Sequence, residues 1–196
     1  MRKLICVCSL VLAALPLAFS QDRNVAFRFF VPIDFAGQIT FSPSSSVDYN
    51  YDTNAGFGVG AEVVAEVWDG LSVGAGIQGD FGRGINDYIN EDATFGFVPV
   101  YGLVDYRLGI GTVNPYAIAR IGYNIPTGNE AYANGHDLAG GVFFTIGGGA
   151  ELKVHGWSVQ PFAEVSYAFD SSGYVENNTD ISYKRLQLCL GAAYRL

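Results

Sequence analysis

The stretch Gly60-Ala61-Glu62-Val63-Val64-Ala65-Glu66-Val67-Trp68 sets two carboxylates four residues apart in an otherwise apolar run. Helix and strand geometry would each put them on one face. Val59, Ala61, Val63, Ala65 and Val67 alternate without a break, which selects the strand. Four strand residues span about 13 Å, more than the roughly 6.5–9.5 Å that separates even an inverting carboxylate pair. Glu62 and Glu66 are therefore expected on two levels of one wall, not in one reaction.

Other stretches fit reactive patterns poorly. Gly74-Ala75-Gly76-Ile77-Gln78-Gly79 matches the dinucleotide fingerprint GxGxxG, but those glycines belong at a strand-to-helix turn, and here alternation continues on both sides. Asp48-Tyr49-Asn50-Tyr51-Asp52-Thr53-Asn54 spaces oxygens like a calcium loop, yet Thr53 stands at the glycine position and Val59 at the bidentate one. His136 and His155 are the two histidines. A rim lipid hydrolase would place a histidine beside a serine, but Leu138 occupies the second place after His136 and His155 belongs to a turn at the opposite end. No catalytic residue, cofactor or metal site is expected, so the chain reads as a non-enzyme.

The strongest polar set is Glu62, Glu66, Asp80, Arg120, Glu151, Lys153, Glu164, Arg185 and Arg195, all on the polar parity of alternating segments. Eight such segments follow one another. In the first, every odd position from Val25 to Phe41 is apolar or glycine, with Arg28 and Asp34 on the even side. Phe57–Val67, Leu71–Phe81, Ala117–Tyr123, Val142–Leu152, Trp157–Tyr167 and Leu186–Leu196 alternate likewise, while the segment near Phe95–Tyr106 is apolar on both faces and its phase stays open. Pro32, Pro99 and Pro161 fall inside strands and mark bulges or unpaired sites.

Connections alternate in length. Long polar segments (42–55, 82–93, 126–140, 170–181) take turns with short ones at Asp69-Gly70, Gly109–Asn114 and Val154-His155-Gly156. Such alternation describes an up-and-down barrel with two unlike rims, as in transmembrane barrels with short periplasmic turns and long external loops. Aromatics at strand ends would form two girdles: Phe41, Phe57, Phe81, Phe95, Tyr123, Phe144, Tyr167 and Phe169 at the outer rim, and Phe27, Tyr106, Tyr116, Trp157 and Tyr194 at the periplasmic one. A soluble lipocalin-like barrel also alternates, but it needs neither girdles nor regular loop alternation. Charges facing lipid at mid-bilayer would cost about 2–4 kcal/mol each for the basic ones, so the polar set is expected to line the lumen. There, mixed signs should pair and plug a narrow interior, or rearrange to pass small solutes.

Residues 1–20 read as a secretory signal: Arg2 and Lys3 precede an apolar stretch too short to span a bilayer, followed by Ala18-Phe19-Ser20. Without it, Cys189 is the one remaining cysteine, and 9 of the 11 basic residues face 19 acidic ones, a net charge of about −10. That balance disfavours nucleic acid. Residues 21–196 are expected to form one barrel domain. Its external loops are expected to carry Asp48, Asp52, Asp87, Glu91, Asp92, Glu130, Asp137, Asp170, Glu176 and Asp180, with Arg83 and with exposed Tyr49, Tyr51, Tyr88, Tyr132 and Tyr174, a surface that suits a cationic or protein partner outside the cell as well as plain solvation.

The run Asn114-Pro115-Tyr116-Ala117-Ile118-Ala119-Arg120-Ile121-Gly122-Tyr123-Asn124, the stretch Gly147-Gly148-Gly149-Ala150-Glu151-Leu152 continuing through Pro161–Tyr167, and the ending Leu190-Gly191-Ala192-Ala193-Tyr194-Arg195-Leu196 resemble the small outer-membrane β-barrel proteins. That group includes the membrane domain of OmpA, OmpX, OmpW and opacity-type proteins. The resemblance implies an eight-stranded antiparallel transmembrane barrel in the bacterial outer membrane, with lipid and the outer-membrane assembly machinery as partners. It also implies an assembly signal at Gly191, Tyr194 and Leu196, where Leu196 departs from the usual terminal Phe.

Overall fold

The computed structural model describes residues 25–44, 47–88, 92–109, 111–133, 135–175 and 179–196; the expected signal segment lies outside them. The chain runs β1 (Val25–Asp34), β2 (Gln38–Pro43), β3 (Tyr49–Asp52), β4 (Gly56–Trp68), β5 (Leu71–Asp80), β6 (Arg83–Gly84), β7 (Thr94–Arg107), β8 (Val113–Gly128), a one-turn helix α1 (Glu130–Ala133), β9 (Leu138–Leu152), β10 (Val159–Tyr174) and β11 (Thr179–Arg195). Neighbours pair antiparallel in the order β1-β4-β5-β7-β8-β9-β10-β11, and β11 closes onto β1. The result is a closed eight-stranded antiparallel β-barrel. Closure satisfies every edge, which an open sheet of such apolar strands could not do.

Towards the long loops, β2 continues β1 along β11, β3 pairs β2, β6 continues β5 along β7, and a Thr53–Ile85 bridge completes the ring. The continuation is offset. Asp34 pairs with Gln187 but Gln38 with Lys184, so four residues of the first wall face three of β11. Ile77 pairs with Val100 but Arg83 with Phe95, six residues against five. The walls between keep step, since Asp34 meets Gly56 and Gln38 meets Asp52. Three adjacent walls thus take one extra residue at a common level, and a one-residue slip turns every later side chain to the other face.

This step corrects the simple reading of Val25–Phe41 as one outward apolar row. Phe29 and Val31 face out, whereas Ile39 and Phe41 are buried inside. Below the step the exterior is an apolar belt including Phe29, Ile77, Ile121, Ile146 and Val165. Above it, the positions of the opposite parity (Gln38, Thr40, Asn50, Asp52, Asp180 and Lys184) are exposed or half-exposed while Ile39, Ile181 and Tyr183 are buried.

Strand β7 resolves the open phase: Phe95, Phe97, Tyr101, Leu103, Asp105 and Arg107 are buried, with Val104 and Tyr106 outside. Pro32 pairs with Cys189 while the ladder to β4 lapses beside it; Pro99 pairs with Asn124 where the β5 ladder has ended. Pro161 pairs with Ala192, and the β9 ladder starts one residue later. Each proline therefore has a ladder partner on one side only, as its missing N–H requires. Phe57, Phe81, Phe144 and Tyr167 are exposed at the outer girdle level, and Tyr106, Trp157, Tyr194 and also Trp68 at the other. Phe41, Phe95 and Tyr116, expected in the girdles, point inward instead.

Candidate functional site

The lumen is crossed at three levels. Nearest the short turns, Arg120 on β8 is the hub. Its Nε donates to Glu62 Oε1 at 2.7 Å, and its two terminal nitrogens donate to Glu164 at 2.5 and 3.0 Å. This forked geometry suits a guanidinium. Tyr101 OH donates to the same Glu62 oxygen at 3.0 Å, and Tyr116 OH to Glu164 at 3.3 Å. Arg28 joins Glu62 (3.5 Å) to Asp105 (2.8 Å), and Arg107 lies 3.4 Å from Asp105. At the rim, Arg195 holds Glu151 at 2.6 Å and Gln160 at 2.9 Å. Arg28 and Arg120 also sit over the rings of Tyr116 and Phe162, and of Phe30 and Tyr101, at 5.5–5.9 Å. Room for these side chains comes from inward glycines: a Cβ on Gly60 would lie 2.2 Å from the Phe30 ring, and one on Gly76 2.7 Å from Glu62 and Tyr101.

The second level surrounds Arg185 on β11. Its Nε lies 2.8 Å from Asp34 Oδ1 as an ion pair, while its Nη2 donates to Asp80 at 2.9 Å and its Nη1 to Asp170. Arg83 reaches Asp34 at 2.6 Å and donates to Tyr183 OH at 3.0 Å. Gln78 and Gln187 donate to Asp80 and Asp34 at 2.7 and 2.8 Å. The two levels differ in balance. The first sets Arg28, Arg107, Arg120 and Arg195 against Glu62, Asp105, Glu151 and Glu164; the second sets Arg83 and Arg185 against three aspartates.

The third level is a roof of Ile39, Phe41, Ile85, Phe95, Phe97, Tyr132, Tyr174, Ile181 and Tyr183. Asn129 folds α1 into the mouth, its side chain accepting from Tyr132 N at 3.0 Å and Thr94 N at 3.1 Å. Tyr132 is fully buried, stacks on Phe95 at 5.6 Å, and takes a hydrogen bond from Tyr174 OH on its carbonyl at 2.5 Å. Burial in this loop pushes the Tyr132 phenol well above its ordinary range.

Of the residues expected in the lumen, Glu62, Asp80, Arg120, Glu151, Glu164, Arg185 and Arg195 stand in these levels. Two do not. Glu66 is half-buried at the end of β4, where it accepts from Gly70 N at 3.2 Å and closes the Asp69-Gly70 turn. Lys153 has left β9 for the following turn and is exposed. Sequence reasoning missed Arg28 and Asp34 as network members although both share the polar parity of β1. It assigned Arg83 and Asp170 to loops because the strands extend beyond the belt, and it missed Asp105 because both faces of β7 read as apolar. The tyrosines expected on the surface divide: Tyr49 is exposed, Tyr51 and Tyr88 are half-buried against the roof, and Tyr132 and Tyr174 belong to it. Glu91 and Glu176 lie outside the described residues.

The calcium-like stretch is largely strand β3. His136 packs its ring against Tyr174 at 5.3 Å, and His155 lies in the turn after β9, at the opposite rim. Cys189 is buried, its thiol donating to Gln187 Oε1 at 3.4 Å. At the chain end, Gly191 abuts the Phe162 ring, while Tyr194 and Leu196 are exposed.

No protein-family model matches the chain. No curated protein matches it either. Among solved structures, the outer membrane protein OprG from Pseudomonas aeruginosa superposes with a TM-score of 0.62 at 11% identity, covering 89% of this chain and 96% of that one. Neisserial surface protein A (TM-score 0.48, 17% identity, 83% and 96% covered) and Ail of Yersinia pestis (0.47, 12%, 90% and 100%) are also similar. The fold is that of the small outer-membrane β-barrels.

Proposed function

We propose that this chain is an integral barrel of a bacterial outer membrane whose lumen is shut and whose role lies at the exposed rim, as a surface structural or interaction protein. One observation carries the reading: buried ion pairs at two levels and an aromatic roof at a third span the interior above and below Arg120. The apolar belt supports membrane insertion, because only a closed barrel or a helix leaves no unpaired backbone in hydrocarbon. The acidic, long-loop rim faces outward and the short turns face the periplasm. No catalytic role is assigned to either histidine. Refolded protein in a planar bilayer is expected to insert without discrete currents. Steady single-channel currents from the unmodified chain would overturn the shut lumen.

A second reading is a narrow channel. The second level holds one more carboxylate than guanidinium, so an opened lumen would prefer cations. Under this reading, currents appear and change selectivity when Arg120 or Glu164 is neutralised. Turnover of added phospholipid that disappears in His136→Ala would instead favour a rim hydrolase.

A further inference from the structure

The exposed charges of the described residues are mostly acidic, with an exception at the short-turn rim. Among the described residues, Lys153 and Lys184 are the exposed basic side chains of the barrel. Lys184 has acidic neighbours nearby in sequence and register, with Asp180 on its own strand and Asp52 beyond Gln38. Lys153 does not. It lines an open cleft of ≈ 450 Å³ with Thr112, His155, Trp157 and Gln160, and no carboxylate is among the lining residues.

The cleft lies between two turns tied together by Lys153 N–H donating to Thr112 O at 2.8 Å. Trp157 N donates to Val154 O at 3.1 Å, and Gly156 at φ +81° supplies the left-handed corner. This tight turn sets His155 and Trp157 beside Lys153. Neither Lys153 nor His155 has a side-chain partner among the described residues. The nearby carboxylate Glu151 is turned inward and held by Arg195. Trp157 is 63% exposed at the level of Tyr106, Tyr194 and Trp68, the girdle that ends the apolar belt. An indole at the boundary and an ammonium just beyond it match the depth of a phospholipid's phosphodiester.

We propose that the cleft between Gly111-Thr112 and residues 153–160 is a headgroup site for an anionic phospholipid of the inner leaflet. Lys153 and His155 meet the phosphodiester, and Trp157 packs against the glycerol and upper acyl chain. The proposal rests on the outer-membrane reading above. Its force is electrostatic: a lysine near an anionic surface raises lipid affinity about fivefold.

The test uses the full chain with Trp68→Phe, which leaves Trp157 as the reporter, reconstituted with either phosphatidylglycerol or phosphatidylcholine carrying brominated chains. Expected is quenching of Trp157 at about fivefold lower mole fraction of phosphatidylglycerol, with the difference abolished by Lys153→Ala/His155→Ala. Equal quenching by both lipids, or a preference that survives the double substitution, overturns the headgroup site while leaving the membrane barrel standing. Millimolar inorganic phosphate that reverses the preference would assign the cleft to a soluble phosphate and likewise overturn it. Quenching by neither lipid, in protein whose gel mobility is not heat-modifiable, would bring down the membrane reading itself.

Discussion

The two halves of this barrel are built by opposite rules. Below the step, apolar side chains face out and arginines and carboxylates face in; above it, aromatic side chains face in and polar ones face out. The upper half follows the pattern of a soluble core, while the lower half inverts it. The inversion is reached in two ways. Along β1 and β2 the apolar parity stays constant and the extra residue turns it inward. Along β11 the face stays constant and the composition switches, from Leu190, Leu188 and Leu186 outside to Tyr183 and Ile181 inside. The same interior is thus specified once by backbone register and once by residue choice.

The halves should fail differently. Arg120→Met leaves Glu62 and Glu164 facing each other without their shared cation, and stranding buried charge costs about 3–5 kcal/mol. Denaturant unfolding of the refolded barrel should show this as the largest loss, whereas an effect below about 1 kcal/mol would mean that water already reaches the lower lumen. Phe95→Ala opens a cavity in the roof at a cost of about 3 kcal/mol. Hydrogen exchange should rise in β2, β3 and β6 but not in the lower part of β8 and β9; uniform loosening would deny that the halves are separable. Tyr101→Phe deletes one donor to a buried carboxylate, worth about 1.5–3 kcal/mol, and the lower half should carry the whole of it. Asp52→Asn on the outer face of β3 should change stability by less than about 0.5 kcal/mol, while Cys189 should resist maleimide until the barrel unfolds.

Much of this was legible in the order of residues. Alternation through Phe57–Val67 and Leu186–Leu196 disclosed strands, and the alternating connection lengths disclosed an up-and-down barrel with two unlike rims. Glu62, Arg120 and Glu164 were readable as inward because charge cannot face hydrocarbon cheaply. What stayed hidden depends on register. Nothing in Phe35-Ala36-Gly37 announces that the chain gains a residue there, since hydrogen-bond partners in β11 decide it. Strand β7 was opaque for a related reason: Phe97 and Tyr101 fill a lumen half of which is aromatic, so both faces read as apolar. Lys153 kept the polar parity but fell past the last paired residue, where parity has no meaning.

The step also acts as a ruler. The 10 residues of β1 rise about 33 Å along the strand, or about 25 Å along the barrel axis at a tilt near 40°. That height equals the apolar band of an outer-membrane barrel. Moving the step by one residue pair would lengthen or shorten the apolar belt by roughly 5 Å, a mismatch that a bilayer around such a barrel would meet by thickening, thinning or tilting it. If the barrel spans a membrane as proposed, the position at which its wall gains one residue sets the bilayer thickness that it fits.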